Sequence, residues 1–352
     1  MRILYGAVGE GLGHAMRSRV VAEHLIEQGH QVKMAASGQA LPYFQEHLPD
    51  VQEIWGLSFV LEHGQVRAWQ TLSKNVRGAL RGVPADWNRG VELARAFAPE
   101  LVITDFDGFT YLYAKVHRLP VISVGNIQMV DRCRHDAGIL RGIRSHYLEA
   151  RAFVGRKLPR ADRYLITTFF HPPIRKARTA LIPSILRPEI LAARRESGDH
   201  LVVYGRISEE STAALRASGV PCRVYGARDA LTADVEDGNL LYRPFSNEVF
   251  IDDLRTSLGV VASAGFSLMS EAVYLRKPML ALPLAGQFEQ EMNARYLERL
   301  GYGTAASALD EPSLRRFLQR ESTHAEALEA YEQDGNRETF EEVDRFIEEF
   351  QA

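Results

Sequence analysis

Residues 258–271 have the sequence LGVVASAGFSLMSE, and this stretch decides the fold of the second half of the chain. An apolar strand, 258–262, runs into a turn of small residues, and a helix follows with Glu271 in its first two turns. A second apolar strand, 279–284, ends in the polar segment GQFEQ, residues 286–290. A helix N-terminus presents unpaired N–H groups, which favours a diphosphate. The carboxylate and amide side chains add hydrogen-bonding groups that suit ribose and hexose hydroxyls.

The rest of the chain repeats this alternation of short apolar runs and helical patterns. Further strands are predicted at residues 3–8, 31–36, 101–104, 121–124, 200–204, 222–225 and 240–242. A helix is predicted at 18–27, where Gly29 ends it. Strand–helix alternation on this scale is typical of doubly wound sheets. The sequence therefore predicts an α/β protein with two Rossmann-like domains that face each other across a cleft.

The same patterns predict where the domains begin and end. The first domain is predicted at 1–166 and the second at 200–325, because 352 residues exceed what one hydrophobic core usually supports. Residues 167–199 carry four prolines without periodicity and are predicted to form a linker. Residues 326–352 are predicted to be helical. The apolar face of this helix could pack back on the N-terminal domain, and it is formed by Phe340, Val343, Ile347 and Phe350.

Composition excludes several classes of protein. The net charge of −3 argues against a globally basic nucleic-acid binder. The two cysteines, Cys133 and Cys222, lack metal-ligand spacing and favour a reducing compartment. No run approaches 18 apolar residues, and the first strand is interrupted too early for a signal peptide. We therefore expect a cytoplasmic protein, with peripheral contact at the inner face of the membrane left open.

A glycine-rich loop follows the first strand and leads into a helix. Gly9, Gly11 and Gly13 suggest a dinucleotide fingerprint, but His14 occupies the position that needs glycine or alanine. The second strand also ends without a carboxylate for a ribose, and no Lys-Ser or Lys-Thr pair follows the glycines. The pattern therefore predicts a backbone that a ligand can approach closely, with an imidazole at the start of the helix.

These motifs together resemble a known family. GEGLGH at 9–14 with Arg17 and Ser18, PFSNE at 244–248, the turn at 263–271 and GQFEQ at 286–290 are similar to GT-B glycosyltransferases. The resemblance is closest to the bacterial and archaeal branch related to UDP-glucuronosyltransferases and to the lipid-II-forming GlcNAc transferase. It implies that the C-terminal domain holds a nucleoside-diphosphate sugar as substrate, that the glycine loop lies on the acceptor side, and that no cofactor is needed.

The resemblance also implies a donor-binding role for residues of the second half. These residues are Gly205, Arg206, Phe245, Ser246, Ser263, Gly265, Phe266, Ser267, Glu271, Gln287, Glu289 and Gln290. The segment at 244–246 would present backbone groups to the base, and the turn at 263–267 would hold the diphosphate. Glu271 would accept hydrogen bonds from the ribose, and the segment at 287–290 would contact the sugar. Arg206 follows an apolar strand and could face the β-phosphate.

Transfer with inversion needs a base for the acceptor hydroxyl, and two residues are candidates. His14 has a side chain suited to proton transfer at neutral pH, and Asp105 ends a strand of the same domain. We favour His14 as the base with Asp105 as its partner or as the alternative base. Asp105 and Asp107 also form a D-x-D pair. Two carboxylates at this spacing arise easily by chance, so we expect no metal site.

A basic stretch lies in the second part of the first domain. It contains Arg132, Arg134, Arg141, Arg144, Arg151, Arg156, Lys157 and Arg160. It is either a solvated helix face or a surface for anionic lipid or a phosphorylated acceptor. Aromatic residues do not interleave with it, so we expect no nucleic-acid partner.

The prediction that results is a metal-independent, inverting glycosyltransferase. It would move a hexose from a UDP-sugar or another nucleoside-diphosphate sugar to a small-molecule or lipid hydroxyl, such as a cell-envelope or natural-product precursor. The alternatives are a UDP-sugar 2-epimerase of the same fold and a non-catalytic protein that binds nucleotide sugars.

Overall fold

A computed structural model describes residues 1–9, 11–54, 61–62, 65–66, 83–228 and 231–351. The chain forms two compact units. Unit 1 is Met1–Arg187 together with Asn336–Ala352, and unit 2 is Pro188–Gly335. The chain therefore leaves unit 1 once, completes unit 2, and then returns to unit 1.

Unit 1 is built on a seven-stranded parallel sheet. Its strands are β1 (Arg2–Ala7), β2 (Gln31–Ala36), β3 (Val51–Glu53), β6 (Leu101–Asp105), β7 (Val121–Val124), β8 (Arg163–Thr167) and β9 (Thr179–Ile182). Their order is β3-β2-β1-β6-β7-β8-β9. The central strands are continuous apolar runs because both of their faces are covered by helices. The short strands β4 (Leu61–Glu62) and β5 (Gln65–Val66) pair with each other in antiparallel fashion.

Helices cover both faces of this sheet. They are α1 (Leu12–Glu27), α2 (Ala40–His47), α3 (Val83–Phe97), α4 (Gly108–His117), α5 (Met129–Arg132), α6 (Arg144–Lys157) and α14 (Arg337–Gln351). One apolar core joins the sheet to α1, α2 and α14, and a second core joins it to α3, α4 and α6. Helix α1 begins at Leu12, six residues earlier than the sequence predicts, so His14 lies in its first turn.

The last helix, α14, belongs to unit 1. Val343, Phe346 and Ile347 are buried in the core that contains α1. His24 of α1 stacks on Phe340 with ring centroids 4.0 Å apart, and its Nε2 lies 2.9 Å from Asp344 Oδ2. The helix starts at residue 337, whereas the sequence predicts a helical segment from 326.

The segment 167–199, predicted as a linker, contains strand β9. Thr179–Ile182 pairs in parallel with β8, and the division between the compact units falls after Arg187. This edge strand is only four residues long, and prolines and charged residues surround it, which conceals its pattern in the sequence. Asn336, the first residue after the chain returns to unit 1, is bonded to Leu186, close to where the chain leaves it. Its Oδ1 accepts from Leu186 N at 2.9 Å, and its Nδ2 donates to Leu186 O at 2.7 Å.

Unit 2 is built on a second seven-stranded sheet. Its strands are β10 (Leu201–Tyr204), β11 (Cys222–Tyr225), β12 (Val235–Asp237), β13 (Leu240–Arg243), β14 (Gly259–Ala262), β15 (Met279–Ala281) and β16 (Gly303–Ala305). Their order is β12-β13-β11-β10-β14-β15-β16, and only the β12–β13 pair is antiparallel. The strand predicted at 279–284 ends at Ala281, shortly before Pro283, a residue that has no N–H to donate.

The helices of unit 2 complete the doubly wound arrangement predicted from the alternating pattern. They are α7 (Pro188–Ala192), α8 (Glu209–Ser218), α9 (Asn247–Arg255), α10 (Phe266–Tyr274), α11 (Phe288–Arg299), α12 (Glu311–Gln319) and α13 (Glu321–Leu328). The prediction of two parallel-rich α/β domains is confirmed. Among the helices that the structure describes, none is both long and apolar enough to span a membrane.

Candidate active site

The glycine loop between β1 and α1 shapes the first part of the site. A Cβ on Gly9 would lie 2.2 Å from the backbone oxygen of Ser37, so a larger residue does not fit there. Gly11 has φ +79° and is the N-terminal cap of α1, a conformation that glycine adopts at little cost. Val8 N donates to Asp105 O at 3.2 Å, which joins the end of β1 to the end of β6. The loop thus places His14 beside the last residue of β6.

Asp105 is the centre of a buried ionic cluster in unit 1. Arg17 Nε donates to Asp105 Oδ2 at 2.6 Å, and Arg17 Nη2 donates to Oδ1 at 2.7 Å. Arg17 and Asp105 therefore form a bidentate salt bridge, the geometry that guanidinium and carboxylate groups favour. Ser18 Oγ also donates to Oδ2 at 3.2 Å, and His14 Nδ1 lies 2.9 Å from Oδ1. The two residues predicted from the sequence as base and partner are therefore in direct contact.

The electrostatics of this cluster keep Asp105 ionised. The carboxyl group is fully buried, and burial by itself would raise its pKa. The Arg17 guanidinium and His14 outweigh burial and hold the pKa of Asp105 well below its usual range. A permanent negative charge therefore lies against the imidazole of His14, whose side chain is 21% exposed.

The role of His14 depends on which ring nitrogen carries the proton. With the proton on Nδ1, the ring donates to Asp105 Oδ1 and leaves the Nε2 lone pair available to accept a proton. With the proton on Nε2, Nδ1 accepts from Arg17 Nη2, which lies 2.6 Å away. Asp105 and Arg17 thus favour opposite tautomers, and only the first leaves a base at Nε2.

The D-x-D pair does not act as one group of carboxylates. Phe106 between the two residues has φ +58°, a left-handed conformation that is uncommon for an aromatic residue, and it turns the chain after Asp105. Asp107 caps α4 by accepting from Thr110 N at 2.8 Å and from Thr110 Oγ1 at 2.7 Å. In the described part of the chain, no group of three or more His, Cys, Asp or Glu side chains is placed to hold a metal ion.

Gly125 completes the surroundings of the ionic cluster. It follows β7 with φ +153°, and a Cβ there would lie 2.9 Å from Asp105 Oδ1 and 3.4 Å from Arg17 Nη2. The backbone at this position therefore contacts the carboxylate closely only because the side chain is a hydrogen. Arg17 and Gly125 were not predicted as site residues. The signal for Arg17 was its spacing, because three residues along a helix place it on the same face as His14.

In unit 2, the turn of small residues after β14 has the predicted form. Gly265 is the N-terminal cap of α10, and no side-chain hydrogen bond caps the helix at that position. Ser263, Gly265 and Ser267 are half-buried, Phe266 is buried, and Glu271 is 5% exposed one turn further on. The fully buried Asn293 donates from Nδ2 to Ala264 O at 3.2 Å. Asn293 is a support for the turn that the sequence did not reveal.

The polar segment after β15 is partly held by its own side chains. Gln290 Oε1 accepts from Leu284 N at 2.9 Å, and Gln290 Nε2 donates to Gln287 Oε1 at 2.9 Å. Gln290 is buried, whereas Gln287 and Glu289 are half-buried at the start of α11. Of these three predicted sugar contacts, Gln290 therefore also fixes the shape of the loop.

Four further predicted donor-binding residues lie in or beside an aromatic cluster. Gly205 follows β10 with φ +122°, and Arg206 beside it is exposed. Phe245 is 51% exposed, and its ring lies 6.2 Å from Tyr204, 6.4 Å from Tyr225 and 5.6 Å from Phe250. Ser246 caps α9 without a side-chain hydrogen bond. An exposed aromatic edge at the start of a helix is a surface on which a planar base could stack.

Solved structures define the class of this fold. The spinosyn rhamnosyltransferase SpnG complexed with thymidine diphosphate is 16% identical, with a TM-score of 0.64 over 99% of this chain and 100% of that one. Phytolacca americana UGT2, complexed with UDP-2fluoro-glucose and pterostilbene, is 13% identical, with a TM-score of 0.65 over all of both chains. At such identities the likeness shows the fold alone, which is that of the GT-B glycosyltransferases.

The family follows from the sequence. Residues 1–321 match the model described as Glycosyl transferase family 1, and the chain belongs to that family. An uncharacterized glycosyltransferase of Methanosarcina acetivorans is 24% identical over 340 residues, which cover 89% of this chain and 88% of the relative. The predicted resemblance is confirmed, and the protein is a glycosyltransferase.

Proposed function

We propose that this enzyme transfers a hexose from a nucleoside-diphosphate sugar to a hydroxyl acceptor, with inversion at the anomeric carbon and without a metal ion. The expected donor is a UDP-sugar. The observation that carries the proposal is the contact of the partly exposed His14 with the fully buried, ionised Asp105. A carboxylate behind an imidazole orients the ring and stabilises the imidazolium that forms on proton uptake.

In the proposed step, one proton moves to His14, one bond to the anomeric carbon forms, and one bond from that carbon breaks. The acceptor O–H gives its proton to His14 Nε2 while its oxygen attacks the anomeric carbon. The bond from that carbon to the diphosphate oxygen breaks on the opposite face, and the nucleoside diphosphate leaves with the electron pair. The step requires the tautomer in which Nδ1–H donates to Asp105 Oδ1, the 2.9 Å contact.

Donor binding is assigned to unit 2. The diphosphate would accept hydrogen bonds from the N-terminal N–H groups of α10, where the helix dipole also favours negative charge. Glu271 would accept from the ribose, and Gln287 and Glu289 would contact the hexose. These donors supply charge stabilisation to the leaving group through the backbone, which supports a mechanism that needs no divalent cation.

The test is a transfer assay in which the His14→Ala enzyme is compared with the wild type. Loss of a general base should lower kcat about 10²- to 10⁴-fold with little change in melting temperature. His146→Ala is the matched control, because His146 is an exposed histidine on another helix of the same unit. Equal activity of the two variants would remove His14 from the mechanism.

Three further measurements separate the remaining alternatives. Full activity in excess chelator is expected, and complete loss would contradict the metal-independent mechanism. Proton NMR of donor and enzyme without acceptor should show no new UDP-sugar, since interconversion would instead indicate a 2-epimerase. Thermal shifts with UDP, dTDP and GDP identify the nucleotide, because a ligand at 100 times its Kd adds about 2.7 kcal/mol of stability.

A further inference from the structure

Unit 1 contains a cavity near the amino ends of β8 and β9, away from the loop that holds His14. Its volume is about 330 Å³, at the small end of the range for small-molecule sites. The chain lines it at 158–161 and 176–178, the segments that lead into the amino ends of β8 and β9. His14, Asp105 and Gly125 instead lie at or beyond the carboxyl ends of β1, β6 and β7. Gln128, Asp131 and Arg132 also line it, so the cavity and the ionic cluster share only the segment that follows β7.

The walls of this cavity are strongly cationic. The charged side chains that line it are Asp131, Arg132, Arg160, Lys176 and Arg178. The single carboxylate is already occupied, because Arg175 Nη2 lies 3.0 Å from Asp131 Oδ1 and Lys176 Nζ lies 2.5 Å from Oδ2. The guanidinium groups of the three lining arginines therefore face the cavity. None of them is paired with the one carboxylate that lines it.

The three arginines are held in different ways. Arg132 is 8% exposed, and its Cζ lies 3.5 Å from the centroid of the Tyr164 ring, over which the guanidinium stacks. Its Nε donates to Thr179 Oγ1 at 2.7 Å. Arg178 Nη1 lies 4.0 Å from Asp162 Oδ1, and the Arg178 side chain is 58% exposed. Arg160 has no hydrogen-bond or ion-pair partner in the part of the chain that the structure describes. Arg160 and Arg178 both have left-handed backbones, with φ +60° and +59°.

A buried amide in the wall provides an independent indication of a ligand. Gln128 lines the cavity and is 3% exposed, yet its Nε2 has no hydrogen-bond partner among the described residues. An amide –NH₂ group can only donate, so what it lacks is an acceptor oxygen. Buried donors in proteins are nearly always satisfied, which makes an unfilled one in a cationic cavity informative.

We propose that this cavity binds a ligand that carries a phosphate group. A phosphate dianion supplies acceptor oxygens for the guanidinium groups and for Gln128 Nε2 together, and guanidinium groups match phosphate geometry well. Two sources share this chemistry: a soluble phosphorylated compound and the headgroup of an anionic lipid. This site is separate from the residues assigned to the transfer reaction, and the proposal does not rest on the transfer mechanism.

Titration calorimetry with inorganic phosphate at low ionic strength tests the proposal. The wild type should bind phosphate at a saturable site in this cavity. Arg160→Gln or Gln128→Leu should each raise the Kd of that site, about tenfold or more for the arginine, whose bond to the ligand is charge-assisted. The matched control is Arg118→Gln, because Arg118 is also exposed and left-handed, with φ +57°, but does not line the cavity. Circular dichroism of each variant verifies that it folds.

Vesicle co-sedimentation then distinguishes the sources. Binding to phosphatidylglycerol vesicles but not phosphatidylcholine vesicles, weakened by Arg160→Gln and competed by phosphate, supports the proposal with a lipid headgroup as ligand. Saturable phosphate binding without any preference for the anionic vesicles supports it with a soluble ligand. Wild-type protein that binds no phosphate, or an Arg118→Gln variant weakened as much as Arg160→Gln, would overturn the proposal.

Discussion

At the scale of single residues, Asp105 and Asp107 show how partners decide the state of a carboxyl group. Both are buried and only one residue separates them. Asp105 meets a guanidinium and an imidazole, and its pKa is held below the usual range. Asp107 meets the N–H and the hydroxyl of Thr110, and burial raises its pKa because those donors do not compensate fully. The same side chain is therefore ionised more easily than in water at one position and less easily at the other.

Replacing each carboxylate by an amide should give very different losses of stability. Asp105→Asn leaves the buried Arg17 without a counter-charge, so we expect the free energy of unfolding to fall by about 3–5 kcal/mol. Asp107→Asn keeps an acceptor for Thr110 N, and asparagine caps helices well, so about 1 kcal/mol or less should be lost. Urea denaturation of both variants checks this, and similar losses would show that the Arg17 pairing contributes little.

The pH dependence of stability should have opposite signs at the two positions. Because the folded pKa of Asp105 is lowered, its contribution is complete above the ordinary pKa near 3.8 and is lost as the pH falls below it. Because the folded pKa of Asp107 is raised, its contribution is complete below 3.8 and is lost as the pH rises through the folded value. As the pH falls from about 6 to about 3, the loss of unfolding free energy caused by Asp105→Asn should therefore shrink, while the loss caused by Asp107→Asn should grow. Urea midpoints across this range measure both slopes, and parallel slopes would contradict the assignment.

Much of the candidate site follows from the sequence, and the residues that do not follow have a common reason. His14 and Asp105 could be proposed because each lies beside a strand end, where parallel sheets collect functional groups. The spacing places Arg17 on the helix face of His14, but the burial of Arg17 and of Asn293 could not be predicted, because an arginine or an asparagine within a helix is most often solvated. Their burial depends on which strand lies opposite, and the amino-acid pattern of one helix does not contain that information.

At the scale of elements, the loop between β1 and α1 is shaped by close backbone contacts. Gly9 O accepts from Gln39 N at 3.1 Å, and the Cα of Gly9 leaves no room for a methyl group beside Ser37. The loop after β2 therefore supports the loop after β1. A shift of either one would move the first turn of α1, which carries His14.

Gly9→Ala should lower both stability and activity. A Cβ 2.2 Å from a backbone oxygen forces the loop to move, which we expect to cost about 3 kcal/mol and to reduce kcat by displacing His14. Gly108→Ala is the matched control, since Gly108 also follows a strand near the site but has open space around its Cα and begins α4. Its substitution should be neutral or stabilising by about 0.4–1 kcal/mol. Thermal melts with transfer assays compare the two, and a harmless Gly9→Ala would contradict the close contact.

The sequence predicts the central elements well and the edge elements poorly. Strand β7, which is buried along its whole length, has the predicted bounds because a strand covered on both faces reads as a near-continuous apolar run. The edge strands β9 and β12 are three or four residues long, and β12 contains two acidic residues. Short edge strands gain most of their stability from one neighbour, so their own sequences carry little signal.

At the scale of the whole molecule, unit 1 is assembled from two separate parts of the chain. Its core depends on Val343, Phe346 and Ile347 of α14 as well as on α1, and Asn336 anchors the return of the chain to Leu186. Unit 2 is continuous in sequence, from Pro188 to Gly335. The two units should therefore respond differently to changes at the C-terminal helix.

Removing residues 336–352 should destabilise unit 1 selectively. The deletion exposes the apolar face of α1 and removes the partners of His24, and loss of Phe346 alone is expected to cost about 3–5 kcal/mol. Scanning calorimetry should show the transition of unit 1 at a lower temperature and that of unit 2 unchanged. Asp344→Asn is the control, because it alters only one partly exposed contact with His24 and should cost about 1 kcal/mol or less. Equal destabilisation of both units would contradict the assignment of α14 to unit 1.

The position of α14 also has a consequence for biosynthesis. The ribosome makes the sheet of unit 1 first, but the helix that covers one of its faces is translated only after Pro188–Gly335 is complete. At roughly 5–20 residues per second, that interval is on the order of 10–30 s. During this time the apolar surface beside Leu25 and Phe44 lacks its final cover. A nascent chain stalled before residue 336 should therefore be a better client for chaperones than the released protein.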